Sequence, residues 1–213
     1  MPISETAFET LKSEYDSSWA IWASEERKVI GDSVSDMSVF DLSINENLLD
    51  QLRPEYVIVA LNKSNKTSDE LVPLENFHSG SQDYKLRHAL KGSPFWGAYI
   101  TDFAKGIVER NSDEVRKYLR KNPDELNRCV KELRDELQLL GVATPTFIAL
   151  EKKAVYKYLK KHFPNCKVVY IPHYSAGSCN DKNGNKVDIN NKSRYKDQVI
   201  WRLVSELNCR PWP

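Results

Sequence analysis

The sequence lacks any apolar run of the length that crosses a bilayer, which takes about 18 or more consecutive apolar residues. Its first segment, residues 1–19, contains acidic side chains and no apolar stretch of the kind found in a signal peptide. Cysteine is scarce and widely spaced, and no C-x-x-C pair suggests a zinc or iron–sulfur site; the four residues are Cys129, Cys166, Cys179 and Cys209. We therefore expect a cytoplasmic protein with reduced thiols, no membrane association, no metal and no cofactor.

A clear excess of charge of one sign is also missing. The chain has 31 basic and 30 acidic residues, a net charge of +1. A protein that clamps a long stretch of duplex usually carries a basic excess, because neutralising phosphates supplies much of the affinity. Near-neutrality counts mildly against such an interface but leaves room for a local basic patch. The P-loop, GxGxxG, HExxH and GxSxG patterns are absent as well, so no common motif assigns a function.

What the chain does contain is four apolar runs separated by helical patterns. The runs lie within 55–61, 96–103, 145–150 and 167–172. They predict an α/β fold: a three-layer α/β/α sandwich around a central four-stranded, mainly parallel sheet. With 213 residues the chain suits one domain, 1–213, with an N-terminal helical extension over about 1–45. In that extension, apolar residues at spacings of three and four predict a helix over 4–24.

Three of the predicted strands end in polar residues that can do chemistry. These ends are Asn62-Lys63-Ser64, Thr101-Asp102 and His173-Tyr174-Ser175. Singly, each is typical of a turn or a helix cap. Because parallel strands bring their carboxyl ends to one edge, where open α/β sheets hold ligands, the three together predict a functional crevice.

Five segments resemble, in order, the motifs of the uracil-DNA glycosylase superfamily. They are VALNKS (59–64), AYITDFAKG (98–106), LNRCVKELRDELQLLG (126–141), PTFIALEKKAVYKYL (145–159) and VVYIPHYS (168–175), and the resemblance covers about residues 50–205. It implies a monomeric DNA glycosylase that hydrolyses the N-glycosidic bond of a damaged or unusual base, acting on single-stranded DNA or on a damaged duplex, with no metal cluster.

The resemblance also implies roles for individual residues. Asn62 falls on the position that orients the attacking water, and His173 on the histidine that stabilises the departing base. Phe77 is a candidate for stacking on the flipped base, and Asp102 lies where the base edge is read. The candidates for contacts with DNA are Lys63, Ser64, Ser175, Lys182 and Lys186.

Two departures from the family pattern bear on the substrate. Asp102 stands where relatives have Asn, and an ionised carboxylate only accepts hydrogen bonds, so it would repel uracil O4. Three alternatives are open: Asp102 suits an exocyclic amine, it is protonated in a buried site, or it binds nothing. Lys63 and Ser64 replace a Pro-Gly pair, and Tyr174 replaces the Pro of an HPS motif. The alternative is a non-catalytic protein of the same fold that binds a nucleotide, DNA or a protein. A nucleoside hydrolase-type activity on a small substrate is a third possibility.

Three further features are interpreted as surface. Five lysines of the segment 152–161 are typical of a solvated helix face. Trp212, in the final RPWP, is expected to be exposed. The Asn- and Gly-rich segment 176–192 predicts a hairpin that presents Lys182 and Lys186.

Overall fold

A computed structural model describes residues 2–23, 36–63, 72–78 and 82–213 of the protein. Within these residues there are seven α-helices: α1 Glu5–Glu14, α2 Leu48–Gln51, α3 Asp83–Leu90, α4 Ser112–Lys121, α5 Pro123–Leu139, α6 Val155–His162 and α7 Lys192–Leu207. The strands of the same residues are β1 Ser17–Trp19, β2 Arg53–Ala60, β3 Ala98–Asp102, β4 Thr146–Ala149, β5 Lys167–Tyr170, β6 Ser178–Asn180 and β7 Lys186–Asp188. Met37–Phe40 forms a turn of 3-10 helix.

The central sheet has five strands in the order β1-β3-β2-β4-β5. Strand β2 lies in the middle, where Ile58 is opposite Ile100 of β3 and Ile148 of β4, and these pairings and that of β4 with β5 are parallel. The predicted α/β class with a mainly parallel sheet is therefore confirmed. Strands β6 and β7 form a separate antiparallel hairpin.

Helices pack on both faces of the sheet, because β2 is apolar on both sides. Val57 and Val59 belong to a hydrophobic cluster that includes buried residues of α1, α4, α5 and α6. Ile58 and Ala60 point the other way, into a cluster with residues of α3 and α7. Alternation along a strand that is buried on both sides explains why YVIVAL is continuously apolar.

The prediction of four strands is wrong, because the chain adds β1 at the edge of the sheet. Strand β1 runs antiparallel to β3, with Ser17 opposite Thr101 and Trp19 opposite Tyr99. The helix predicted over 4–24 ends at Glu14. Trp19 fits helical spacing in the sequence, and a three-residue strand is too short to show alternation. Residues 17–19 are all buried, which a one-sided helix would not require.

The end of the chain folds back onto α3. Trp212 is only 6% exposed, its indole nitrogen donates to the carbonyl oxygen of Ala89 at 2.7 Å, and its ring meets that of Phe95 edge-on. The expectation of an exposed tryptophan is therefore wrong. Tryptophan buries a large apolar area, and the partner for its N–H comes from a residue 123 positions away, which no local pattern reveals.

Candidate functional site

The carboxyl ends of the parallel strands meet at one edge of the sheet. Ala60 of β2 is in register with Asp102 of β3, so Asn62 follows two residues beyond this pair. His173 follows β5, two strands from β2, which corresponds to roughly 10 Å across a sheet. The loop after β5 reaches back over these ends, because Tyr174 lies within electrostatic range of Asp102 and hydrogen-bonds the side chain of Asp83 at the start of α3.

Asn62 holds two loops together through its amide nitrogen. That nitrogen donates to the carbonyl oxygen of Glu109 at 2.8 Å and to that of Ile107 at 3.3 Å. Because carbonyl oxygens only accept hydrogen bonds, these contacts fix the orientation of the amide. The side-chain oxygen of Asn62 then faces away from the 107–109 loop as an acceptor. Sequence reasoning predicted the position of this residue at the strand end but not its structural contacts.

Asp102 is a buried carboxyl group with one oxygen satisfied and one not. Asp102 is only 2% exposed. Its Oδ2 accepts a hydrogen bond from the side-chain amide of Asn76 at 3.0 Å, whereas Oδ1 has no hydrogen-bond partner in the described parts of the chain. Burial raises the pKa of Asp102 to about 6, against the lowering effects of Asn76, Lys105 and Lys63. Such a carboxyl group changes charge close to neutral pH, which is typical of functional sites.

Lys105 joins the end of β3 to Glu136 of α5. Its ammonium group lies 2.6 Å from the hydroxyl of Thr101 and 2.6 Å from Glu136, and it also donates to the carbonyl oxygen of Asp102. Glu136, which is fully buried, accepts from the hydroxyl of Tyr99 at 2.7 Å through its other oxygen. A buried ion pair of this kind is a weak source of stability but fixes the geometry around it.

Lys63, a predicted contact for DNA, has a partner inside the protein. Its ammonium group is 2.6 Å from the carboxylate of Asp16, and its side chain is only 8% exposed. The carbonyl oxygen of Asp16 in turn accepts from Asn76, the residue that holds Asp102. The start of β1 and the ends of β2 and β3 are therefore joined around the buried carboxyl group.

His173 is fixed as a neutral donor. Its Nδ1 lies 2.7 Å from the hydroxyl of Ser175 and accepts from the backbone N–H of Ser175 at 3.2 Å. A backbone N–H can only donate, so the ring proton of the neutral imidazole must sit on Nε2. Burial, together with the nearby charge of Lys85, lowers the pKa of His173 to about 4, so the ring is uncharged at neutral pH. The ring also stacks on Tyr174, with centroids 4.3 Å apart.

Phe77 belongs to the hydrophobic cluster at the same sheet edge. It is 6% exposed, and the cluster that contains it includes Ala60 and Tyr174. Its φ of 72° lies in the left-handed region, which is unusual for an aromatic residue and typical of segments under functional constraint. The ring of Phe77 has no open face on the surface. To stack on it, as predicted, a base would have to enter the hydrophobic cluster.

The remaining predicted contacts are on the surface or outside the described residues. Lys182 and Lys186 are exposed on the β6–β7 hairpin, and Ser175 is exposed beside His173. Ser64 lies outside the described residues. Arg202 of α7 donates to the carbonyl oxygen of Asn180 at 2.6 Å, which ties the hairpin to the rest of the protein.

A groove of about 610 Å³ lies on the side of β1, next to residues that contact Asp102. Asn76, Asp16 and Lys105 line it together with Arg128 of α5, whereas Asn62, Asp102 and His173 do not. Its volume is in the range of small-molecule sites. The groove therefore reaches Asn76 and Lys105, two residues that contact Asp102, but not the buried carboxyl group itself.

Within the described ranges, no set of three His, Cys, Asp or Glu side chains is placed to hold a metal ion. No helix found there is both long enough and apolar enough to cross a membrane. Comparisons of the chain with protein-family models, with curated proteins and with solved structures give no match. The function of the protein is therefore inferred from the chemistry of the strand ends.

Proposed function

We propose that the protein is a uracil-DNA glycosylase-like hydrolase, which cleaves the N-glycosidic bond of a damaged or unusual base in DNA on a three-layer α/β/α sandwich. The observation that carries the proposal is the neutral His173, whose Nε2–H is left as a donor at the same sheet edge as the acceptor oxygen of Asn62. A base that departs as an anion carries the electron pair of the broken bond, spread over its ring nitrogens and its exocyclic carbonyl oxygens. A preorganised uncharged donor stabilises that anion without first losing a proton.

Asn62 positions the water that replaces the base. The amide is a very weak base, so its contribution is orientation: its oxygen accepts a hydrogen bond from the water, and its clamped nitrogen keeps that oxygen in place. As the bond between the sugar and the base breaks, water oxygen bonds to the sugar carbon and its proton leaves to solvent or to the base. Orientation of this kind needs a rigid residue, which the contacts with the 107–109 loop provide.

Asp102 reads the edge of the base. Oδ2 is held by Asn76, and Oδ1, which is buried and without a partner in the described chain, is available as an acceptor. A buried polar atom that lacks a partner is costly, so a base that supplies a donor gains affinity relative to one that does not. Ser175, Lys182 and Lys186 contact phosphates in this proposal, and Phe77 packs against the extruded base.

A non-catalytic binding protein of the same fold is the second candidate. The observation that favours it is the use of Asn62 and Lys63 inside the chain, where both side chains join loops and strands. Such a protein would use the edge of the sheet for a nucleotide or DNA without bond cleavage.

The test is incubation with oligonucleotides that each hold one uracil, hypoxanthine, xanthine or alkylated base, followed by alkali to cleave abasic sites. We expect His173→Ala to lower the rate by about 100-fold or more, the usual effect of removing one such donor. His162→Ala is the matched control, because His162 is the last residue of α6 and precedes the start of β5, whereas His173 follows the end of β5.

Thermal melting shows whether each variant is folded, which matters most for Asn62→Ala because it frees the 107–109 loop. A folded wild-type protein that leaves every base in the panel intact would refute the glycosylase. Retained binding of the same oligonucleotides, measured at two salt concentrations, would then support the second candidate.

A further inference from the structure

The outer edge of β5 carries three aromatic rings that are partly exposed. Tyr170 is the last residue of β5, and β5 is the outermost strand of the sheet on this side among the described residues. Tyr156 reaches it from α6 on one face and Trp201 belongs to α7 on the other. The rings of Tyr156 and Tyr170 meet edge-on with centroids 5.6 Å apart.

Three cations lie on these rings. The guanidinium of Arg202 is 4.5 Å from the ring centre of Tyr170 and 4.7 Å from that of Trp201. The ammonium of Lys152 is 5.0 Å from the ring of Tyr170, and that of Lys160 is 5.7 Å from the ring of Tyr156. We call the set the β5-edge strip: Tyr156, Tyr170, Trp201, Lys152, Lys160 and Arg202.

No carboxylate of the described chain forms an ion pair with the cations of this strip. The nearest acid in sequence, Glu151, is occupied: its oxygens accept from the backbone N–H groups of Lys153, Ala154 and Val155 at 2.6–2.8 Å. Lys12 and Lys131, by contrast, are each paired with a carboxylate on their own helix. The strip is therefore a concentration of uncompensated positive charge on a protein whose net charge is +1.

Aromatic contacts also reduce the cost of using these cations. A free lysine or arginine side chain loses up to about 2 kcal/mol of conformational entropy when it is fixed. Cation–π contacts restrict the side chains before any ligand arrives, so less is lost on binding an anion. The lysines of 152–161 were expected to form a solvated helix face, and two of them, Lys152 and Lys160, are instead restricted by a ring.

The strip continues into the hairpin. Arg202 joins it to β6 through the carbonyl oxygen of Asn180, and the exposed Lys182 and Lys186 extend the positive surface along the hairpin. At its other end Tyr170 is followed, three residues later, by His173. The surface is thus longer than a small anion requires.

We infer that the β5-edge strip is a binding surface for single-stranded nucleic acid, with phosphates on Lys152 and Lys160 and unpaired bases on the aromatic rings, two of which the buried Arg202 holds in place. Charge alone would suit a duplex as well. Tyr156, Tyr170 and Trp201 are partly exposed beside the cations, which favours a single strand over a duplex. Only unpaired bases have faces that are free to stack on side chains. The inference does not depend on base excision, and a protein without catalytic activity would use the strip in the same way.

The test is fluorescence anisotropy of a labelled oligo(dT) at several salt concentrations. Each phosphate contact with a single strand contributes a slope of about 0.7 in log K against log salt. The double variant Lys152→Gln/Lys160→Gln should therefore lower the slope by about 1.4, whereas the matched control Lys12→Gln/Lys131→Gln, which removes paired lysines, should leave it unchanged. Trp201→Leu should weaken binding about 10-fold through lost stacking, and thermal melting confirms that each variant is folded.

Several outcomes would overturn the inference. Absence of oligo(dT) binding by the wild-type protein is one, and equal slopes for the two double variants is another. Equal affinity for a duplex of the same length would show that the strip reads charge alone. Equal competition by poly-glutamate would show that it is a site for acidic peptides.

Discussion

Replacing Asp102 with Asn should stabilise the protein near neutral pH. The pKa of Asp102 is raised from its ordinary 3.8 to about 6 because burial disfavours its charged form. A difference of about two pKa units corresponds to roughly 3 kcal/mol between the two protonation states. The folded protein binds this proton more tightly than the unfolded chain, so the contribution of Asp102 to stability is most favourable below pH 3.8 and is lost as the pH rises through about 6.

Asparagine has the same shape and carries no charge. Its oxygen can still accept from Asn76, while its amide nitrogen takes the position of the oxygen that has no partner in the described chain. Leaving that N–H unsatisfied costs about 1 kcal/mol or more. We therefore expect Asp102→Asn to raise the free energy of unfolding by about 2 kcal/mol at pH 7.5 and to bring no gain at pH 4.

Urea unfolding of the two proteins between pH 4 and 7.5 measures this difference. Asp50→Asn, at an exposed residue of α2, is the control and should change little at any pH. A gain that is the same at all pH values, or no gain at pH 7.5, would refute the argument. If the protein excises bases, the same substitution should shift its preference from bases with an exocyclic amine toward uracil, because it replaces an acceptor with a donor.

Three other predictions follow from buried residues. His78 is fully buried and its pKa is lowered to about 3. The free energy of unfolding should therefore fall by up to about 5 kcal/mol as the pH drops from 6.5 to 3. In urea unfolding, His78→Gln should remove this part of the acid dependence, and identical acid dependence in both proteins would contradict the prediction. Trp212→Ala should cost about 3 kcal/mol in the same assay, and a loss below 1 kcal/mol would show that its burial contributes little. Gly97→Ala should destabilise by more than about 3 kcal/mol, because a Cβ there would lie 2.0 Å from the carbonyl oxygen of Gln51. Gly184→Ala, which has a similar φ of 83° but open space around it, should cost only about 1–2 kcal/mol, and equal losses at the two glycines would contradict the steric explanation.

Much of the sheet could be predicted because its strands carry their own signal. The β-branched runs of β2, β4 and β5 are buried on both faces, and a continuous apolar run is the pattern that such burial produces. Strand β1 carries no such signal: Ser17 and Ser18 are polar in sequence yet buried, and the hydroxyl of Ser18 finds its partner in the carbonyl oxygen of Leu74 at 2.7 Å. Its place depends on β3, some 80 residues later, and no local pattern contains that information.

The sequence predicted where the candidate site lies, but not which side chains contact its residues. Parallel strands bring Asn62, Asp102 and His173 to one edge, as the order of the motifs indicates. The groups that set their chemistry come from elsewhere in the chain: Asn76 orients Asp102, and Lys85 lies close enough to His173 to lower its pKa. Such partners are fixed by tertiary packing, and their residue types are common in any polar loop or helix.

Strand β1 is joined to the buried carboxyl group of Asp102, so local detachment of β1 from the sheet should depend on the charge of Asp102. Asn76 bridges Asp16, next to β1, and Asp102, so detaching this short edge strand would let water reach the carboxyl group. An open form in which Asp102 is hydrated favours its ionised state, and rising pH should therefore increase the population of that form. Hydrogen exchange of the β1 amides, corrected for the intrinsic effect of pH, would then report the charge of a residue that lies on a neighbouring strand.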